Sequence, residues 1–143
     1  MPTVRKSVIV PHPRETMFDL VDRAEDYPAF LPWCSSAEVF ERTGATTRGR
    51  LGVDYHGLRT AIETLNRNQR PEAIELTLVE GPFEHFAGLW TFKALGEAGC
   101  RVELAIDYAF ASPTVEVLMG RVFGHITQTL VDRFVERADE VAR

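Results

Sequence analysis

Cys100-Arg101-Val102-Glu103-Leu104-Ala105-Ile106-Asp107-Tyr108-Ala109-Phe110-Ala111-Ser112-Pro113 is the stretch in which the hydrophobic period of the chain changes. Up to Phe110 the even positions are apolar and the odd ones are charged or small. This predicts a strand with one buried face and one largely solvated face. Ser112 is then placed to cap a helix and Pro113 to fill its first turn. Beyond them apolar residues recur at 115, 118, 119, 122, 123, 126, 130, 134, 138 and 141, at steps of three or four except within the adjacent pairs 118/119 and 122/123. About thirty residues at ~1.5 Å each give a helix of roughly 45 Å, long enough to cross a whole sheet. Gly120 and Gly124 interrupt it. They are read chiefly as points of close packing on the sheet, with room for a ligand as the alternative.

Upstream, from Ser36 to Phe110, the period is two, with turn signals at Thr43-Gly44, His56-Gly57, Asn66 to Pro71, Gly81-Pro82 and Gly96 to Gly99. That spacing predicts a meander of six strands. A further strand at Thr3 to Val10 is ended by Pro11 and Pro13, and an amphipathic helix through Met17, Phe18, Leu20, Val21 and Ala24 follows. Tyr27-Pro28-Ala29-Phe30-Leu31-Pro32-Trp33 allows at most a second short helix or turn. It is the most apolar irregular segment of the chain, so it must bury its side chains or cover something. Tyr27 is expected to pack its ring and keep its hydroxyl wet. The expected fold class is therefore α+β: a curved antiparallel sheet of about seven strands wrapped around a long C-terminal helix, with two short helices after strand 1. Residues 1–143 are expected to form a single domain without a linker.

Composition narrows the function. The chain has 143 residues, 45% hydrophobic and 26% charged, which is ordinary for a globular protein. The longest run without Asp, Glu, Lys or Arg, Tyr27 to Ala37, falls well short of the ~20 apolar residues of a membrane-spanning helix. No apolar secretion signal opens the chain, and the expected location is the cytoplasm. Cys34 and Cys100 stand far apart, and the four histidines never fall at metal-ligand spacing, so neither a disulfide framework nor a metal site is signalled. No phosphate loop or nucleophile motif is present, and no catalytic residue is assigned. The net charge of −5 disfavours DNA and anionic surfaces in general. Charge is nevertheless segregated, because residues 42–70 hold six arginines against Asp54 and Glu63. By strand parity Arg48, Arg50, Arg59 and Arg67 belong to the outer face, opposite Leu51, Val53, Tyr55 and Ile62.

Four motifs carry a resemblance. They are Tyr27-Pro28-x-Phe30-Leu31-Pro32-x-Cys34; Gly81-Pro82-Phe83 with Gly88-x-Trp90-x-Phe92; Cys100-Arg101-Val102-Glu103; and Phe134-Val135-x-Arg137-Ala138. In this order they resemble the START-like coenzyme Q-binding proteins and the RatA-type ribosome-association toxins, within the polyketide cyclase/dehydrase and lipid-transport superfamily. The resemblance covers essentially the whole chain. It implies the helix-grip fold with a hydrophobic cavity between sheet and long helix, and either of two roles. One is binding of ubiquinone or another isoprenoid lipid in support of respiratory electron transport, with no cofactor required and at most transient membrane contact. The other is binding of the large ribosomal subunit, which blocks subunit joining. A cyclase-type enzyme is a third reading, for which the sequence offers no convincing acid/base pair.

The candidate cavity residues are Phe30, Leu31 and Trp33 in the proline-rich turn, Tyr55, Phe83, Trp90, Phe92 and Tyr108 on strands, and Met119, Val122, Phe123 and Ile126 on the long helix. Tyr55, Tyr108 and His125 are candidate donors to a quinone carbonyl. The proline-rich turn is expected to act as a lid. Arg48, Arg50, Arg59 and Arg67 form the candidate ribosome-facing patch. The chain departs from the family pattern at Phe86, a bulky residue that would narrow a cavity, and at Tyr55-His56.

Overall fold

Seven strands and three helical segments occupy residues 3–141, the part of the chain that the computed structural model describes. Strand β1 (Thr3–Val10) leads into helix α1 (Arg14–Asp22) and a short 3-10 helix (Ala24–Ala29). The meander β2 (Cys34–Arg42), β3 (Thr46–Tyr55), β4 (Leu58–Gln69), β5 (Ala73–Glu80), β6 (Phe83–Leu95) and β7 (Gly99–Phe110) follows, and helix α2 (Pro113–Val141) ends the chain. All neighbours pair antiparallel in the order β1-β7-β6-β5-β4-β3-β2, so β1 and β2 are the free edges. Register irregularities in β2, β5 and β6 bend these strands, which is how a sheet of this width comes to curl.

The alternation that opened the sequence is realised on β7. Cys100, Val102, Leu104, Ile106 and Tyr108 are buried, while Arg101 and Asp107 are exposed. Helix α2 lies across this inner face and buries the line Met119, Phe123, Ile126, Thr127, Val131, Phe134 and Ala138. The Val115 amide donates to Ser112 Oγ, the expected cap. At the other end, His12 Nε2 and Asp139 Oδ1 stand 2.7 Å apart and tie the β1–α1 loop to the last turns of α2.

Three local expectations change. Asn66 to Gln69 is strand rather than turn: Asn66, Arg67 and Asn68 pair with Leu76, Glu75 and Ile74, and the reversal is confined to residues 70–72. The inward side chains of Asn66 and Asn68 find hydrogen-bond partners inside the sheet, which makes polar residues compatible with strand there. The helix glycines are not points of close packing, because a Cβ at Gly120 or Gly124 would meet no atom within 4 Å. The Tyr27 hydroxyl is not left to water but donates to the carbonyl of Val21.

Candidate functional site

Curling the sheet around one helix leaves a cavity of about 110 Å3 between them. This approaches the ~150 Å3 of an apolar cavity that takes up a benzene ring. Its sheet wall is built by inward residues of β3, β4, β5 and β7: Leu51, Val53, Ile62, Leu76, Leu104 and Ile106. Phe123, Ile126, Leu130 and Phe134 of α2 form the opposite wall, and Val21, Tyr27 and Trp33 close the α1 side. Phe86 also reaches the lining.

Polar groups enter the wall at a few places, and all but the Trp33 indole nitrogen find partners within the protein. Thr64 Oγ1 donates to Asn66 Oδ1 at 2.9 Å and Thr127 Oγ1 to the Gly124 carbonyl at 3.1 Å. Thr47 Oγ1 accepts from Asn68 Nδ2 at 3.0 Å and donates to Asp22 Oδ1 at 3.4 Å. Burial pushes the Asp22 carboxyl above its ordinary value, and nearby Arg42 only partly opposes this. Arg42 is drawn toward Glu25 instead, which receives both of its terminal nitrogens at 2.7 and 3.0 Å. Desolvation likewise raises the Tyr27 phenol. It pushes the Cys34 thiol up to about 11, so that buried thiol stays protonated at neutral pH.

Of the twelve aromatic and aliphatic candidates, Trp33, Trp90, Phe123 and Ile126 line the cavity. The others lie outside its lining. Phe92 sits between Phe18 and Trp90, with centroids 5.6 and 6.2 Å away. Phe83 stacks on Phe110, Tyr108 meets Phe123 edge-on at 4.8 Å, and Met119 is buried along α2. Val122 is partly buried against the core. Tyr55 stacks on exposed His125 at the β3–β4 hairpin. In the proline-rich turn, Leu31 is fully buried, and Phe30 packs on Tyr27 and Phe134 beneath the Arg137 guanidinium. Lining residues absent from the candidates, such as Leu51, Ile62, Leu104 and Ile106, share the inward parity of their strands. That signal was available in the sequence; the weight given to aromatic rings drew attention from it.

Arg48, Arg50, Arg59 and Arg67 all lie on the outer face. Arg48, Arg50 and Arg59 do not stand as free cations. Arg48 donates twice to Glu63 Oε2, at 2.9 and 2.7 Å, and Arg50 once to Glu63 Oε1 at 3.1 Å. Arg59 is 3.3 Å from Asp54, and Arg67 is paired in register with Glu75. The acids of β5 lie outside residues 42–70, so a count along the chain misses the compensation that strand pairing brings. Among the described residues no cluster of His, Cys, Asp and Glu could hold a metal, and no helix is long and apolar enough to cross a membrane.

A protein family described as polyketide cyclase / dehydrase and lipid transport matches residues 10–135. The Ribosome association toxin RatA of Pseudomonas aeruginosa is 36% identical over 138 residues, 96% of each chain. A mitochondrial coenzyme Q-binding protein of Schizosaccharomyces pombe is 26% identical over 94% of this chain and 85% of that one. Among solved structures, an aromatase/cyclase from a Streptomyces species superposes with a TM-score of 0.87 over 99% of this chain and 96% of the other. At 16% identity this likeness speaks to the fold alone.

Proposed function

The chain belongs to the polyketide cyclase / dehydrase and lipid transport family, and from that premise we propose that it binds an apolar small molecule of the quinone or isoprenoid class without chemically altering it. The observation that carries this reading is the cavity itself, which is apolar and bounded by both sheet and α2. General acid–base catalysis needs a titratable group within reach of the reacting atoms. Tyr27 is the one such group among the lining residues, and its hydroxyl is committed to the Val21 carbonyl. Affinity would come from burial, at about 25 cal/mol per Å2 of apolar surface. Ubiquinone is the ligand favoured by the coenzyme Q-binding relative. At about 110 Å3 the cavity is smaller than a substituted quinone ring, so uptake would require wall side chains to part, with a long tail remaining outside. The role would be support of respiratory electron transport through brief contact with a membrane from the cytoplasm. The test is calorimetric titration with a short-tailed ubiquinone analogue. Saturable binding is expected for the wild-type chain and its loss for Leu51→Trp, which fills the space with a ring. Equal binding by both proteins would move the ligand elsewhere.

A second reading is favoured by the relatives named as ribosome association toxins, which reach 36% identity against 26% for the coenzyme Q-binding protein. In it the outer face docks on the large ribosomal subunit. Contacts to phosphates weaken steeply with salt. Cosedimentation with large subunits should therefore fall as ionic strength rises and be abolished by reversing Arg59 and Arg67. Salt-insensitive cosedimentation unaffected by the reversal would take the docking role from this face.

A further inference from the structure

Two buried side-chain polar atoms among the described residues lack any hydrogen-bond partner, Nε1 of Trp33 and Oδ1 of Asn68. Asn68 belongs to the cluster around Asp22 and Thr47 and is not part of the cavity lining. Trp33 is part of it, and only 6% of its surface is exposed. A buried N–H without an acceptor carries its full desolvation cost. Packing alone does not account for that cost, since an all-carbon side chain would not incur it. None of the polar lining groups that could have accepted bonds this indole: Thr64 donates to Asn66, Thr47 accepts from Asn68 and donates to Asp22, and Thr127 donates to the Gly124 carbonyl.

We propose that Trp33 Nε1–H is the donor that selects the ligand, by pairing with an acceptor oxygen on an otherwise apolar ring. This rests on the cavity reading above and sharpens it. The ligand class becomes a neutral ring bearing a carbonyl or ether oxygen, not a plain hydrocarbon. An anion is disfavoured, because no Lys, Arg or His lines the cavity to compensate its desolvation. The indole nitrogen is covered by protein atoms, so the pairing takes a small turn of the ring as the ligand enters.

Trp33→Phe keeps an aromatic ring in the wall but removes the donor together with the five-membered ring of the indole, so the change in space needs its own control. The probes are a short-tailed ubiquinone analogue and an alkylbenzene with the same tail. With the alkylbenzene reporting the added space, the ratio of quinone to alkylbenzene affinity should fall about tenfold in the variant relative to the wild-type chain, the scale of one hydrogen bond to a buried donor. The chain has two tryptophans. The indole N–H resonance that disappears in Trp33→Phe should move downfield when quinone, but not alkylbenzene, is added to the wild-type protein. An unchanged ratio of quinone to alkylbenzene affinity in the variant, or a resonance that stays in place while quinone binds, would overturn the role of Trp33 and leave the cavity reading standing. Failure of both probes to bind the wild-type chain would overturn the cavity reading and this inference with it.

Discussion

Glu63 is the residue on which the outer face turns. Its side chain is only 5% exposed beneath Arg48 and Arg50, and the hydrogen bonds from Arg48 hold its carboxyl below the ordinary carboxylate range against the opposing effect of burial. A carboxyl whose folded-state pKa is lowered contributes stability above its unfolded value, near 4.5, and loses it as pH falls through the folded value. In urea unfolding, the wild-type chain should exceed Glu63→Gln in stability at pH 7, and the gap should close progressively below about pH 4.5. A gap of constant size down to pH 3 would contradict the ion pairing. The outward direction of Arg48 and Arg50 was legible from parity. Their partner was legible only in part, since Glu63 shares that parity but the distances that tie one carboxylate to two guanidiniums depend on the β3–β4 register.

Helix α2 shows how two neighbouring positions can differ in what they contribute. Phe123 is 5% exposed and meets Phe83, Tyr108 and Phe110, whereas a Cβ at Gly124 would reach open space. Phe123→Ala should therefore destabilise by about 3 to 5 kcal/mol through lost transfer and cavity terms. Gly124→Ala should stabilise by up to about 1 kcal/mol, because the helix backbone gains propensity with no clash to offset it. Denaturant midpoints of both variants check the helix register together, and a loss at Gly124 comparable to that at Phe123 would contradict it. The three-four periodicity made the buried line readable from sequence. The glycines were not readable, because a missing side chain has the same spelling whether it admits a neighbour or faces none. The end of β4 was hidden in the same way: Asn66 and Asn68 read as turn residues until their inward partners are seen.

At the scale of the molecule, the architecture followed from period, turns and one long amphipathic helix, while the cavity did not. Parity tells which side chains face inward, but the volume left among them depends on how far the sheet curls and how each rotamer packs. Trp33 and Trp90 line that space while Phe92 and Tyr108, equally aromatic and on inward parity, are consumed in the core. The proline-rich turn is wall more than flap, since Leu31 and Trp33 are buried within it. The inner cavity and the outer ionic face are separated by the thickness of the sheet, so the two proposed roles, ligand uptake and ribosome docking, make separable predictions. The most direct test of the cavity reading is native mass spectrometry, with organic extraction, of the protein purified from its own host. The wild-type chain should carry a noncovalent apolar adduct that extracts as a quinone, and Leu51→Trp should lack it. A wild-type chain that runs at the mass of the polypeptide alone, even after incubation with quinone-containing vesicles, would contradict it.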